Sequence, residues 1–304
     1  MDISIVITKM IMLVLIMLIG YIACKTGITG PEANKYMSSL LINVFLVCSI
    51  IQSTINVDPA LSTGEILLMF VYFVLAFGIY WLVGWLYVKI FHVKKDRGIT
   101  ILLVVFINTV FLAFPIIESI YGSEAIFYAS LSNIPFNVLL FSVGIAQLSE
   151  DGMASFSIKK MFNPPMVAIL ISILLFIFQP TVPAVLEDTI RTVAGGTVPL
   201  SMLIIGTSLG SISLRSIFSD WRPYVISALR LILCPLVCAA VFKGLIHREM
   251  MLGILLIIAS CPPAVMLTPI CIQYGQDEAL ASKTICIATI LSTVTIPLML
   301  WILT

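Results

Sequence analysis

The sequence predicts an all-α integral membrane protein of ten transmembrane helices, arranged as two five-helix units of opposite orientation. Three observations carry this expectation. The composition is too apolar for water, ten apolar stretches reach membrane-crossing length, and one block of sequence recurs at about half the chain length.

Of 304 residues, 61% are hydrophobic and 10% are charged, against about 45–50% and about 25% in soluble globular chains. The 16 Lys and Arg and 15 Asp and Glu residues are too few to cover a water-facing surface of this size. A net charge of +1 lacks the basic footprint that nucleic-acid binding needs. The cysteines (Cys24, Cys48, Cys234, Cys238, Cys261, Cys271 and Cys286) nearly all sit in apolar runs without a CxxC. They are expected to be small buried hydrophobes, with no disulfide or zinc framework. No HExxH, paired-Asp motif or Ser–His dyad occurs within the apolar stretches, so an intramembrane enzyme is not expected. No Gly-x-x-x-x-Gly-Lys loop is present, so neither ATP coupling within the chain nor any other cofactor is expected.

Charge-free runs cover 36–57, 66–88, 98–117, 125–149, 161–186, 192–214, 250–276 and 284–304. Two further spans carry cations: 3–23 with Lys9, and 223–246 with Arg230 and a terminal Lys243. Each is long enough for a hydrocarbon core of about 30 Å, which takes roughly 20 residues. The first has no basic segment before it, so it is expected to be a retained span and not a cleaved signal.

The distribution of Lys and Arg orients the spans. Loops 1–2, 3–4, 5–6 and 7–8 hold Lys25, Lys35, Lys94, Lys95, Arg97, Lys159, Lys160, Arg215 and Arg222. The opposite set offers only Arg191, Lys243 and Arg248, and loops 2–3 and 4–5 carry only acids (Asp58, Glu65, Glu124). The first set is therefore expected to be cytoplasmic, with both termini outside the plasma or cytoplasmic membrane.

Span four contains Pro115, Tyr121-Gly122 and Glu124-Ala125; span nine contains Pro269, Tyr274-Gly275 and Glu278-Ala279. The offset divides the chain into a first repeat over 1–150, a cytoplasmic linker over 151–160 and a second repeat over 161–304. An odd number of spans per repeat inverts the second relative to the first, a plan common among secondary transporters. Pro115 near mid-span four, and Pro262, Pro263 and Pro269 in span nine, point to two interrupted helices. A helix-interior proline removes a backbone bond and clashes with the preceding turn. In hydrocarbon such irregular backbone survives only inside protein or beside a cavity. Other membrane prolines (Pro135, Pro199, Pro235, Pro297) are expected to do no more than kink. Two half-helix N-termini near the midplane, each with about half a positive charge and free N–H donors, suit a small carboxylate.

Several polar side chains lie within the spans. Asn133 and Asn137 share a face of span five, and either packs against the interrupted helices or ties spans together. Asn43 and Gln52 lie on opposite sides of a straight helix, so both face one cavity only if span two bends. Glu118 is an intramembrane acid whose charged form is costly; it is either a proton carrier or an interfacial, solvated carboxylate. Arg230 either pairs with a substrate carboxylate or an acid, or snorkels to the cytoplasm. Hydroxyls along span ten (Ser282, Thr284, Thr289, Ser292, Thr293, Thr295) serve helix packing, or help build a sodium site. Coupling to sodium, to protons or to neither stays open.

The motif blocks resemble the auxin efflux carrier family, which includes plant auxin transporters and bacterial malonate and malate permeases. The resemblance runs along essentially the whole chain. Asn108-Thr109 followed by Pro115 and Tyr121-Gly122 is similar to the family's Asn-Thr…Gly-Ile-Pro…Tyr-Gly block. Asn133-Ile134-Pro135-Phe136-Asn137 is similar to the start of its fifth helix, and Pro199-Leu200 with Gly206-Thr207-Ser208-Leu209 to its seventh. Pro262-Pro263-Ala264-Val265 and Tyr274-Gly275 resemble its broken ninth. Ala113-Phe114 replaces Gly-Ile, Val47-Cys48 stands where a proline is frequent, and Met266 stands where an Asn is frequent in bacterial members. The resemblance implies a ten-helix 5+5 inverted fold in which broken helices four and nine cross at the substrate site. It further implies scaffold and transport domains each drawn from both repeats, an elevator-type movement and a homodimer. Asn108 matches an Asn that contacts the substrate carboxylate, and Asn43 also matches a family Asn. The expected substrate-binding set is Asn108, Thr109, Pro115, Asn43, Asn137, Pro262, Pro263 and Ala264, with Glu118 and Arg230 as coupling or charge-pairing candidates.

The expected function is secondary transport of a small organic anion, either an auxin-like monocarboxylate or a dicarboxylate such as malonate or malate. An anion channel and a non-transporting sensor are the competing expectations.

Overall fold

The computed structural model describes residues 3–55, 63–93, 95–148, 162–211 and 220–303. The linker over 151–160 lies outside the described residues, as do Asp58, Lys94, Lys159, Lys160 and Arg215. The described chain is helical, and its one β-type pairing is a single antiparallel bridge between Ile107 and Pro263. In chain order the helices are α1 (Ile3–Lys25), α2 (Pro31–Gln52), α3 (Thr63–Ile90), α4 (Arg97–Val105), α5 (Thr109–Tyr121) and α6 (Ala125–Gly144). There follow α7 (Pro164–Phe178), α8 (Ala184–Ser211), α9 (Arg222–Phe242), α10 (Glu249–Ser260), α11 (Leu267–Gln273) and α12 (Glu278–Leu303).

Seven of these (α1, α2, α3, α6, α8, α9 and α12) are long and apolar enough to cross a membrane, while α5, α7 and α10 are shorter apolar helices. Their outward faces are apolar as well. Ile11, Leu15, Ile19 and Ile22 are exposed along α1, and Val71, Leu75 and Leu82 along α3. Such stripes have no place against water and fit lipid, which makes this an integral membrane protein. All seven cysteines are free, five of them buried and Cys24 and Cys48 partly so.

The recurring block performs the same local task twice. Gly122 ends α5 with φ +85°, and Gly275 follows α11 with φ +62°, backbone angles that side chains rarely adopt. An acid then opens the next helix: Glu124 stands at the N-terminal boundary of α6, and Glu278 is the first residue of α12. Asp277 caps that second start, its Oδ1 accepting from the Leu280 N–H at 2.9 Å.

The chain forms two compact units, each assembled from separated segments. The first comprises Met1–Phe70, Val110–Leu131 and Phe162–Ile212. Within it α1 and α8 run together at very close range. A Cβ built on Gly206 would stand 1.9 Å from the Met17 carbonyl oxygen, and one on Gly20 2.4 Å from that of Leu203. The seam continues in polar contacts, Thr29 with Thr207 at 3.1 Å and Asn34 with Ser208 at 2.7 Å. Stacked rings of Phe127 and Phe176, centroids 5.3 Å apart, form a second contact with Ile66 and Ile173 packed around them.

The second unit comprises Val71–Thr109, Ser132–Met161 and Ser213–Thr304. Its centre is an aromatic nest in which Phe77 packs on Tyr80, Phe106 and Phe136. At one end Arg222 gathers three loop acids: Asp220 at 2.7 Å, Asp96 at 3.0 Å and Asp277 at 3.7 Å. The Arg222 guanidinium hydrogen-bonded to Asp220 holds that carboxyl below the ordinary carboxylate range. A depressed carboxylate stabilises the fold above its unfolded pKa, and the contribution disappears as pH falls through the folded value. Arg222→Gln should therefore lower stability by about 1 kcal/mol at neutral pH, with the difference shrinking as pH falls through the acidic range in which Asp220 protonates. Thermal unfolding of both proteins across pH 3–8 checks this.

Prolines in these helices divide into two kinds. Thr109–Ala113 is π-helical immediately before Phe114-Pro115, and Leu229–Leu233 is π-helical immediately before Cys234-Pro235. The wider turn gives the proline ring room and accommodates the carbonyl that has lost its donor. Pro115 is accordingly buried inside a continuing helix. The expectation that it interrupts span four is corrected, since the interruption lies earlier, at Phe106–Asn108. Pro269 likewise sits within α11, and the interruption of span nine falls at Cys261–Met266, around Pro262-Pro263.

Candidate functional site

The site is built where these interruptions meet, within the second unit. Pro262 and Pro263 cannot donate to the preceding turn, and each pushes its predecessor out of helical geometry. Cys261 is accordingly extended, at φ −76° and ψ 151°. Phe106 is extended too, at φ −92° and ψ 126°, although no proline stands beside it. It unwinds against a partner. The Asn108 N–H donates to the Pro262 carbonyl and the Ala264 N–H to that of Phe106, both at 2.9 Å. These two bonds satisfy groups that membrane burial would otherwise leave exposed to hydrocarbon. Within the second unit the strand that follows α4 thus crosses the strand that follows α10 through a short antiparallel pairing.

A cluster of buried polar side chains gathers around this pairing. Asn108, Thr109, Asn133 and Asn137 are at most 5% exposed. The Thr109 hydroxyl donates to Asn133 Oδ1 at 3.1 Å, and Asn137 Nδ2 donates to the Asn133 carbonyl at 2.8 Å. Asn133 Nδ2 is buried without a hydrogen-bond partner. An orphaned buried donor costs about 1–3 kcal/mol, a penalty that a bound acceptor removes. Helical spacing pairs Asn133 with Asn137, and the contact with Thr109 joins it to the crossing.

Arg230 is fully buried, in the π-helical stretch of α9. It was expected to meet a carboxylate or to snorkel. Instead it donates to three backbone carbonyls: Cys261 at 2.9 Å, Ile258 at 3.1 Å and Val104 at 3.2 Å. Its guanidinium also lies 4.4 Å from the centroid of the Tyr80 ring, a cation–π distance. Among the described residues no carboxylate pairs with it. Backbone carbonyls carry no residue signature, so nothing in the sequence could have named these partners.

The second unit therefore brings together Asn108, Thr109, Asn137, Pro262, Pro263, Ala264 and Arg230, and adds Asn133. Asn43, Pro115 and Glu118 belong to the first unit. Asn43 is exposed in a π-helical stretch of α2 (Leu41–Phe45), its amide donating to the Ser39 carbonyl at 2.8 Å. Glu118 is partly buried, with Oε2 unpartnered. Among the described residues no cluster of His, Cys, Asp or Glu stands ready to hold a metal ion.

Apolar spanning helices, together with a polar crossing of two interrupted helices in the second unit, are the architecture of a membrane transport protein. The comparisons agree. A family described as "Membrane transport protein" matches residues 5–155 and 153–300. The chain belongs to that family, the auxin efflux carrier family. It is 26% identical over 297 residues to an "Uncharacterized transporter" of Methanothermobacter thermautotrophicus, covering 96% of each chain. It is 25% identical over 304 residues to "Uncharacterized transporter MJ1031" of Methanocaldococcus jannaschii, covering 96% of this chain and 97% of the other.

Proposed function

We propose that this chain is a secondary transporter of a small organic anion, whose carboxylate binds at the crossing. The observation that carries the reading is the buried Asn133 amide left without an acceptor while Thr109 ties Asn133 to the crossing. Asn108 and Thr109 stand at the N-terminal end of α5, where the helix dipole favours negative charge. α11 is only 7 residues long, so α5 and the amides carry the site more than the second N-terminus does. The same chemistry recognises a monocarboxylate or a dicarboxylate such as malonate or malate.

The seven long and three shorter apolar helices support ten spans in a 5+5 inverted repeat, and the matched Tyr-Gly stops support it further. Each compact unit draws segments from both halves of the chain. This supports a scaffold and a moving transport unit in an elevator-type cycle, within a homodimer. Asp96, Asp220 and Asp277 meet at Arg222. That meeting supports placing loops 3–4, 7–8 and 9–10 on one side, with both termini on the other.

The test is thermal unfolding of purified protein titrated with malonate, malate and indole-3-acetate. A ligand of the folded state raises the midpoint by mass action, about 2.7 kcal/mol at a hundredfold excess over Kd. At least one carboxylate should shift wild type and shift Asn108→Ala at least tenfold more weakly. If none shifts wild type more than the variant, the central site is abandoned. A carrier will also show saturable counterflow in proteoliposomes, which a channel or a sensor will not.

A further inference from the structure

The last turn of a helix leaves carbonyls without donors and carries roughly half a negative charge. Here two such ends, those of α4 and α10, converge on one buried point, because Val104 lies in the last turn of α4 while Ile258 and Cys261 end α10. In broken-helix transporters, unwound carbonyls and half-helix C-terminal ends are where a coupling cation binds. In this chain the point is occupied by a side chain. Arg230, 0% exposed, brings a full charge and three N–H donors to the three carbonyls, and Tyr80 covers the guanidinium from the side. The buried groups facing it are Tyr80, Cys234, Cys238 and Cys261, and among the described residues no carboxylate pairs with it. A buried charge with no counter-ion persists only when its hydrogen bonds are made, and these carbonyls are the partners that make them.

We propose that Arg230 is a tethered cation standing in for an inorganic coupling ion: it holds the two broken ends together, and the crossing requires no sodium. Arg230 is then a positioning residue. It contacts no substrate, but it sets the separation of the strands that carry Asn108 and Ala264, and it supplies a fixed positive charge close to the anion. Removing it leaves a carbonyl-lined cavity with the donors of a monovalent-cation site. The inference rests on the proposed function only in taking the crossing as the transporting site.

The experiment compares full-length wild type with Arg230→Ala, Arg230→Lys and Arg230→Met. Thermal unfolding is followed in choline chloride and, at matched ionic strength, in sodium, lithium, potassium or ethylguanidinium chloride, without organic anion. Wild type should show one midpoint in all of these salts. Arg230→Ala should unfold about 10 °C lower in choline. It should regain at least half of that loss, saturably, with ethylguanidinium or with one alkali ion in preference to the others. Arg230→Lys should keep most of the stability in choline, and Arg230→Met should not. A purely packing role predicts no ion selectivity and a stable Arg230→Met. That result, or a saturable sodium-specific shift in wild type, overturns the proposal. If Arg230→Ala yields no folded protein, the Lys and Met variants decide it: Lys stable and Met unstable supports the tethered cation, and equal stability overturns it. A parallel carboxylate titration separates the two ideas. If malonate, malate and indole-3-acetate all leave wild type unshifted, the anion site is removed, while the cation results stand or fall by themselves.

Discussion

Gly206→Val should lose about 3 kcal/mol or more of stability, roughly a 10 °C fall in unfolding midpoint. α1 and α8 approach so closely that a Cβ at this position would stand 1.9 Å from the Met17 carbonyl oxygen and 2.8 Å from the Tyr21 nitrogen. Both are backbone atoms, so no rotamer change relieves the contact, and one helix must move. Movement would part the polar seam behind it, where Thr29 meets Thr207 at 3.1 Å and Asn34 meets Ser208 at 2.7 Å. Those part-buried groups would then lose their partners. Gly78→Ala is the control. A Cβ there meets nothing within 4 Å, and alanine is the better helix former by about 1 kcal/mol, so that variant should be as stable as wild type or more so. Equal midpoints for the two variants would mean that the close approach of α1 and α8 contributes nothing.

The second large effect concerns Pro262 and Pro263. Changing both to alanine restores two N–H donors and removes two residues that each disfavour a helix by about 3 kcal/mol. α10 is then free to continue past Ser260. Helical continuation withdraws the carbonyls that accept from Asn108 and Arg230, since Pro262 O receives the Asn108 N–H and Cys261 O receives Arg230 Nε. The expected result is at least a hundredfold loss of carboxylate uptake in proteoliposomes, with a folded protein whose midpoint stays within about 5 °C of wild type. Each single variant keeps one proline and should lose much less. Uptake by the double variant at wild-type rate would show that the break is not part of the transport path.

These two sites differ in how far the residues foretold them. Pro262-Pro263 announces its break, because a missing donor and a ring clash act locally. Tyr121-Gly122 and Tyr274-Gly275 are equally legible, since only the positive φ of a glycine is needed to stop each helix. Apolar length and the grouping of Lys and Arg indicate the spans. The break at Phe106–Asn108 is different. Nothing there forbids a helix, and the chain unwinds because the Pro262 carbonyl and the Ala264 N–H are available to it across the crossing. Pro115 looked like the cause and is not, for the π-helical turn before it removes the conflict. Gly206 was visible only as part of a motif, and its reason lies in the backbone of α1.

The amino-acid sequence by itself determined the environment, the positions of the helices and the places where local chemistry stops them. Those are properties of single residues and their near neighbours. Tertiary structure decided which carbonyls Arg230 holds, which strand Asn108 pairs with, and which amide is left waiting for an acceptor. Backbone groups are the same at every residue, so their pairing leaves no trace in a sequence and is settled only when distant segments meet.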